Sequence, residues 1–129
     1  MDDLTAFITA RLDEDEAIAK AAANRHWLTD DNIITLHPEH DGDGFMSWPT
    51  RADAQHAANH DPARVLREVA AKRAVLAWYA DALDASKLFK EKLGTGTHMA
   101  TAAESYLNVM RGYAAVWSDH PDYKQEWET

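Results

Sequence analysis

Two of the seven histidines stand at a spacing that could do chemistry. His56 and His60 are four residues apart in an alanine-rich stretch. On a helix that spacing puts both imidazoles on one face, the arrangement used by helical zinc sites. Zinc or another divalent metal would need further protein ligands, and His120, Asp119 or a carboxylate of the run Asp13-Glu14-Asp15-Glu16 would have to supply them. The intervening residues Ala57-Ala58-Asn59 offer no glutamate where a metalloprotease keeps its base. The alternative is that His56 packs and His60 satisfies carbonyls at a helix end. His37, His40, Asp41 and Asp43 form a second cluster, around Asp41-Gly42-Asp43-Gly44. That stretch lacks the further ligands and closing Glu of a calcium loop, so a solvated turn is expected.

Arg64, Arg67, Lys72 and Arg73 make a local basic patch. Guanidinium groups suit phosphate or an acidic partner. Asp61 and Glu68 are interleaved, so pairing along the helix, and with the acidic run 13–16, is the competing account. Trp78 lies off the stripe formed by Leu76, Ala80 and Leu83. If exposed, it marks a partner or dimer surface, because Trp and Tyr are enriched at interfaces. The acidic run could supply paired carboxylates for acid–base work, but nothing favours this over a solvated face. There is no nucleophile elbow, phosphate-binding glycine loop or dinucleotide fingerprint. No catalytic residue is assigned.

Composition narrows the classes. The net charge is −9. Binding to a nucleic-acid backbone draws on Lys and Arg that release counterions, so nucleic acid is not the expected partner. A protein partner is, and a basic one suits the charge. The absence of cysteine excludes disulfides, thiolate metal sites and a thiol nucleophile. No apolar run approaches the roughly 18–20 residues of a membrane span, and Met1-Asp2-Asp3 is acidic where a signal peptide is basic. The expectation is a cytoplasmic protein without a membrane segment.

These side chains must be positioned by helices, which the abundant alanine favours. The length of 129 residues suits one domain. Leu4, Phe7, Ile8, Leu12, Ile18 and Ala22 fall at helical spacing over residues 3–23. Residues 24–49 change character. Trp27, Ile33-Ile34-Thr35-Leu36 and Phe45-Met46-Ser47-Trp48 are apolar or β-favouring, the last two groups flank the glycine-bearing turn, and a short hairpin is expected over about 27–48. Thr50 with Asp53 begins a short helix that ends near Asn59. Asp61-Pro62 caps and starts the next helix, expected over about 62–85 with Val65, Leu66, Val69, Leu76 and Leu83 inward. Residues 86–96 predict a frayed end and a loop. The last long helix is expected from Thr97 or Thr101, with Glu104 completing a capping box from Thr101. In the tail, residues 118–129, Tyr123 and Trp127 are spaced to form one turn that docks on the core.

Three segments resemble a family of small actinobacterial and actinophage proteins, the domain of unknown function 6221. They are Met1-Asp2-Asp3-Leu4 through Glu16, His56 through Asn59-His60-Asp61-Pro62-Ala63-Arg64-Val65-Leu66-Arg67-Glu68-Val69 to Arg73, and Ser118-Asp119-His120-Pro121-Asp122-Tyr123 to Trp127. The resemblance brings no established activity. It implies that the three segments form one unit.

The expected fold is mainly α, a helical bundle of three long helices and one short helix with a β-hairpin insertion, in one domain spanning 1–129. The expected function is a non-enzymatic interaction or accessory factor of an actinobacterium or its phage. It would use Arg64, Arg67, Lys72, Arg73 and Trp78 toward a protein partner, or act as a homodimer. The alternative is a metal-binding protein or metal-dependent enzyme centred on His56, His60 and His120.

Overall fold

Asp2 starts the first helix, its Oδ1 accepting from the Thr5 N–H at 2.8 Å. A side-chain acceptor there satisfies one of the amides that a helix start leaves open. The structure, a computed structural model, describes residues 2–22, 26–36 and 45–128. The turn 41–44 and the His37, His40, Asp41 and Asp43 cluster lie outside the described residues.

In chain order the elements are α1 (Asp3–Ala21), β1 (Trp27–Asp30), β2 (Ile33–Leu36), β3 (Phe45–Ser47), α2 (Arg51–Asn59), α3 (Pro62–Leu93) and α4 (Thr97–Ala114). Two short 3-10 turns, Ala115–Trp117 and Gln125–Trp127, follow. The fold is mainly α, with three long helices, one short helix and a small antiparallel sheet ordered β1-β2-β3. The tertiary contacts group the residues into two compact units. One is Met1–Leu12 with Ala70–Thr129, the other Asp13–Val69.

In the unit 13–69, the expected hairpin is the β2–β3 pair, with Ile34 opposite Met46. The region expected as a two-stranded hairpin carries a third strand, β1, which pairs with β2 through Trp27↔Leu36 and Asp30↔Ile33. Only Asp31 and Asn32 connect the two strands. Asp31 takes φ 53°, in the left-handed region that a two-residue hairpin turn requires and that Asp tolerates better than most residues. Asn32 and Trp48 close the sheet end: the Trp48 N–H donates to the Asn32 carbonyl at 2.8 Å, and Asn32 Nδ2 donates to the Trp48 carbonyl at 3.0 Å. Ile34 is fully buried, and α2 packs on β1 and β2, burying Ala54. Thr50 caps α2 by accepting from the Asp53 N–H at 3.1 Å.

In the unit 1–12 with 70–129, α1 contributes Leu4, Phe7, Ile8 and Leu12 to the core. Val75, Tyr79 and Ala82 come from α3, and Ala103, Met110 and Ala114 from α4. α4 runs antiparallel to α3: Gly96 lies at Ser86, Tyr106 at Trp78, and Trp117 beyond α4 at Lys72.

Two expectations need correction here. α3 does not fray near residue 85 but continues to Leu93. Lys90 and Lys92 in its last turn favour the helix dipole. Gly94, at φ 67°, stops the helix, and its N–H donates to the Lys90 carbonyl at 3.1 Å. α4 opens at Thr97, the first of the two expected starts, and not on a Thr101 capping box: Gly96 holds the N-cap position, and Thr101 Oγ1 donates to the Thr97 carbonyl inside the helix. A Cβ on Gly96 would stand 2.6 Å from the Ser86 carbonyl oxygen, so this close turn requires glycine.

Candidate interaction surface

Asp61 and Pro62 form the corner expected between the short and long helices. Asp61 is only 9% exposed. Its Oδ1 accepts from the Arg64 N–H at 2.8 Å, capping α3, and its Oδ2 accepts from the Trp27 N–H at 3.3 Å. His26 Nδ1 lies 3.7 Å from Oδ2. One carboxylate thus ties the start of β1 to the start of α3. A buried carboxylate persists where such donors replace water.

The histidines divide between the two units. The His56 and His60 rings lie 4.7 Å apart on α2, as their spacing predicts. His60 Nδ1 donates to the His56 carbonyl at 2.9 Å, which is the helix-end role anticipated for it. His120 belongs to the other unit, beside Arg11 and Phe7. Among the described residues, no group of three or more His, Asp and Glu side chains is gathered closely enough to hold a metal ion.

His120 helps fasten the tail. Arg11 Nη1 donates to the His120 ring, and Nδ1 of that ring also accepts from the Asp122 N–H at 3.1 Å. Phe7 sits at the centre, with ring centroids at 5.0 Å for Trp127, 5.7 Å for His120, 6.1 Å for Tyr123 and 6.5 Å for Trp117. The Arg11 guanidinium carbon lies 5.5 Å from the Phe7 centroid, and Arg11 is 8% exposed. Edge-to-face packing of this kind adds to the area buried. The Arg11–His120 contact spans 109 residues, so no local pattern announces it. Tyr123 and Trp127 both meet Phe7, but the single turn expected from their spacing is not formed: the 3-10 turn covers Gln125–Trp127 and leaves Tyr123 outside it.

The basic residues of α3 have different fates. Arg64, in the unit 13–69, pairs with Glu68 at 2.7 Å and donates to the Asn59 carbonyl at 2.8 Å. Arg67 is exposed. In the other unit, Lys72 Nζ stands 5.2 Å from the centre of the Trp117 ring, and Arg73 is half-buried. Glu16 of the acidic run pairs with Lys20 one turn away.

Trp78 is 53% exposed. It is held on one side by Tyr106 of α4, at 6.1 Å between ring centroids. Val109, one turn along α4 from Tyr106, is also exposed. Further along, α3 exposes Leu88, Phe89 and Leu93. An exposed tryptophan on a rigid helix is the kind of side chain that anchors protein interfaces.

A second feature of this unit escaped sequence reasoning. A cleft of about 610 Å³ is lined by Asp2, Asp3, Leu4, Tyr79, Leu107, Arg111, Glu126 and Trp127. Tyr79 donates from its hydroxyl to Asp2 Oδ2 at 3.3 Å. Burial, then the negative charges of Asp2 and Glu104 against the positive Arg111, push the Tyr79 phenol above its ordinary value. Asp3 and Lys124 pair at 2.5 Å on the rim. That hydrogen bond holds the Asp3 carboxyl below its usual range and raises the Lys124 ammonium.

The fold and these surfaces define a small, mainly α protein with a tail clamped by aromatic residues and an exposed tryptophan face. The chain belongs to the family of unknown function DUF6221, whose family model matches residues 1–129. No curated protein and no solved structure matches it.

Proposed function

We propose that this protein is a non-enzymatic interaction factor that engages a protein partner through the α3–α4 face centred on Trp78. The observation that carries this reading is the exposure of Trp78, at 53%, beside Tyr106 and near Val109. Both helices contribute buried side chains to one core, so the face is preorganised and binding need not order it. The net charge of −9 favours a partner that is itself basic. The absence of cysteine fits a reducing compartment. With the resemblance to actinobacterial and actinophage proteins, it supports action in the cytoplasm of such a host.

Co-purification of the tagged full chain from an actinobacterial host, beside its Trp78→Ala variant, tests this. A tryptophan hot spot costs about 2 kcal/mol or more on truncation. A partner held by the native chain should therefore be depleted at least about tenfold with the variant. Equal recovery by both chains, or recovery by neither, would overturn the reading.

A further inference from the structure

α3 is longer than its neighbour needs. α4 starts beside Ser86, where Gly96 meets the Ser86 carbonyl. α3 runs on to Leu93, seven residues and about 10 Å further. Every residue from 87 to 95 is exposed. This projecting tip carries Leu88, Phe89 and Leu93, the last 65% exposed. Lys87, Lys90 and Lys92 stand among them, against a single acid, Glu91. The tip therefore combines large apolar side chains with a local positive charge, in a chain that is acidic overall.

The same unit holds a feature of the opposite character. The cleft beside Tyr79 is lined by the acids Asp2, Asp3 and Glu126 against one base, Arg111, with Leu4, Leu107 and Trp127 among them. Its volume, about 610 Å³, lies within the range that binding pockets occupy. Asp3 is engaged by Lys124 and Asp2 by Tyr79. Arg111, which also lines the cleft, donates to Asn108 at 3.1 Å.

We propose that the tip of α3 in one copy docks in this cleft of a second copy, seating Phe89 and Leu93 on Leu4, Leu107 and Trp127 and the lysines against Glu126 and Asp2. Charge complementarity selects the occupant: a basic helix end fits a cleft lined by more acids than bases, where Leu4, Leu107 and Trp127 offer contact to its apolar side chains. The fold makes the contact intermolecular. Tyr79 lines the cleft and Phe89 lies ten residues further along the same continuous helix, so about 15 Å of rigid helix separates the tip from the cleft of its own chain. Tip and cleft are different patches, so the contact either closes reciprocally as a two-fold pair or runs head to tail and propagates. This association uses a surface other than the Trp78 face and does not depend on it.

Analytical ultracentrifugation of the full chain across a concentration series, at about 0.05 M and about 0.5 M salt, tests the proposal. The expected result is a mass above that of one chain that rises with concentration at low salt and falls at high salt. Lys87→Glu with Lys90→Glu should weaken association at least about tenfold, as should Glu126→Lys. Mixing these two charge-reversed chains should restore one contact per pair, because the Glu126→Lys chain keeps a native tip and the lysine-reversed chain keeps a native cleft. Trp78→Ala should associate as the native chain does. All the altered residues are exposed, and circular dichroism confirms that each variant is folded. A single-chain mass at every concentration would overturn the proposal. So would association indifferent to both charge reversals, or association abolished by Trp78→Ala alone.

Discussion

Removing the ring of Trp127 should unfasten the tail. Trp127 is 6% exposed and packs on Phe7 at 5.0 Å and Tyr123 at 5.7 Å between centroids. Truncating a buried tryptophan to alanine costs about 3–5 kcal/mol in transfer and cavity terms. That is a fifth or more of the roughly 5–15 kcal/mol that holds an ordinary domain folded. At about 4 °C per kcal/mol for a chain of this size, Trp127→Ala should lower the melting temperature by about 12–20 °C. Trp78→Ala is the internal control. It removes a ring already 53% exposed, whose main contact is Tyr106, and should cost about 1 kcal/mol or less. Urea and thermal denaturation of the three chains, followed by circular dichroism and tryptophan fluorescence, give the comparison. A loss below about 1 kcal/mol for Trp127→Ala, or one no larger than that of Trp78→Ala, would refute the docked tail.

Asp61→Ala should cost about 1–2 kcal/mol, since it removes the cap on the Arg64 N–H and an acceptor for the Trp27 N–H. Asp61→Asn, which keeps an oxygen acceptor, should cost less in the same urea titration. Asp3 and Lys124 bound a pH window. The lowered Asp3 value means that its stabilising contribution is present above the ordinary carboxylate value and is lost as pH falls through the folded-state value. The raised Lys124 value means the reverse at alkaline pH: its contribution is lost as pH rises through the folded-state value. Carboxyl NMR titration should place Asp3 below 3.8 in the native chain and return it toward 3.8 in Lys124→Gln. An unchanged midpoint would contradict the pairing. Phenolate absorbance should show Tyr79 ionising above 10.0. Asp2→Asn should bring that midpoint down, because it removes a negative charge that opposes ionisation.

Features set by neighbours in the chain were legible in the sequence. Thr50 capping α2, Asp61 and Pro62 opening α3, Arg64 pairing with Glu68 and His60 bonding back to the His56 carbonyl all act across three or four residues. β1 was harder. Its four residues carry little periodicity, and pairing with β2 and packing on α2 give it its form. The extension of α3 was missed because its last turns bear lysines and expose Leu88, Phe89 and Leu93, so no one-sided apolar stripe marks them. The Thr101–Glu104 pattern suggested a helix start, but the chain had already turned at Gly96, where only glycine fits against Ser86. The cleft beside Tyr79 and the Arg11–His120 contact join residues remote in sequence and have no local signature.

The central claim is that the α3–α4 face around Trp78 is where the partner binds. Hydrogen exchange measured by mass spectrometry, on the free chain and on the complex recovered by co-purification, tests it most directly. Amide protection reports on the segments that a partner covers. Slower exchange in the complex should concentrate in peptides spanning Trp78 in α3 and Tyr106 to Val109 in α4. α2 and the β1–β2 strands should exchange as in the free chain. Protection confined to the sheet and α2, with the Trp78 and Tyr106 peptides unchanged, would contradict the account.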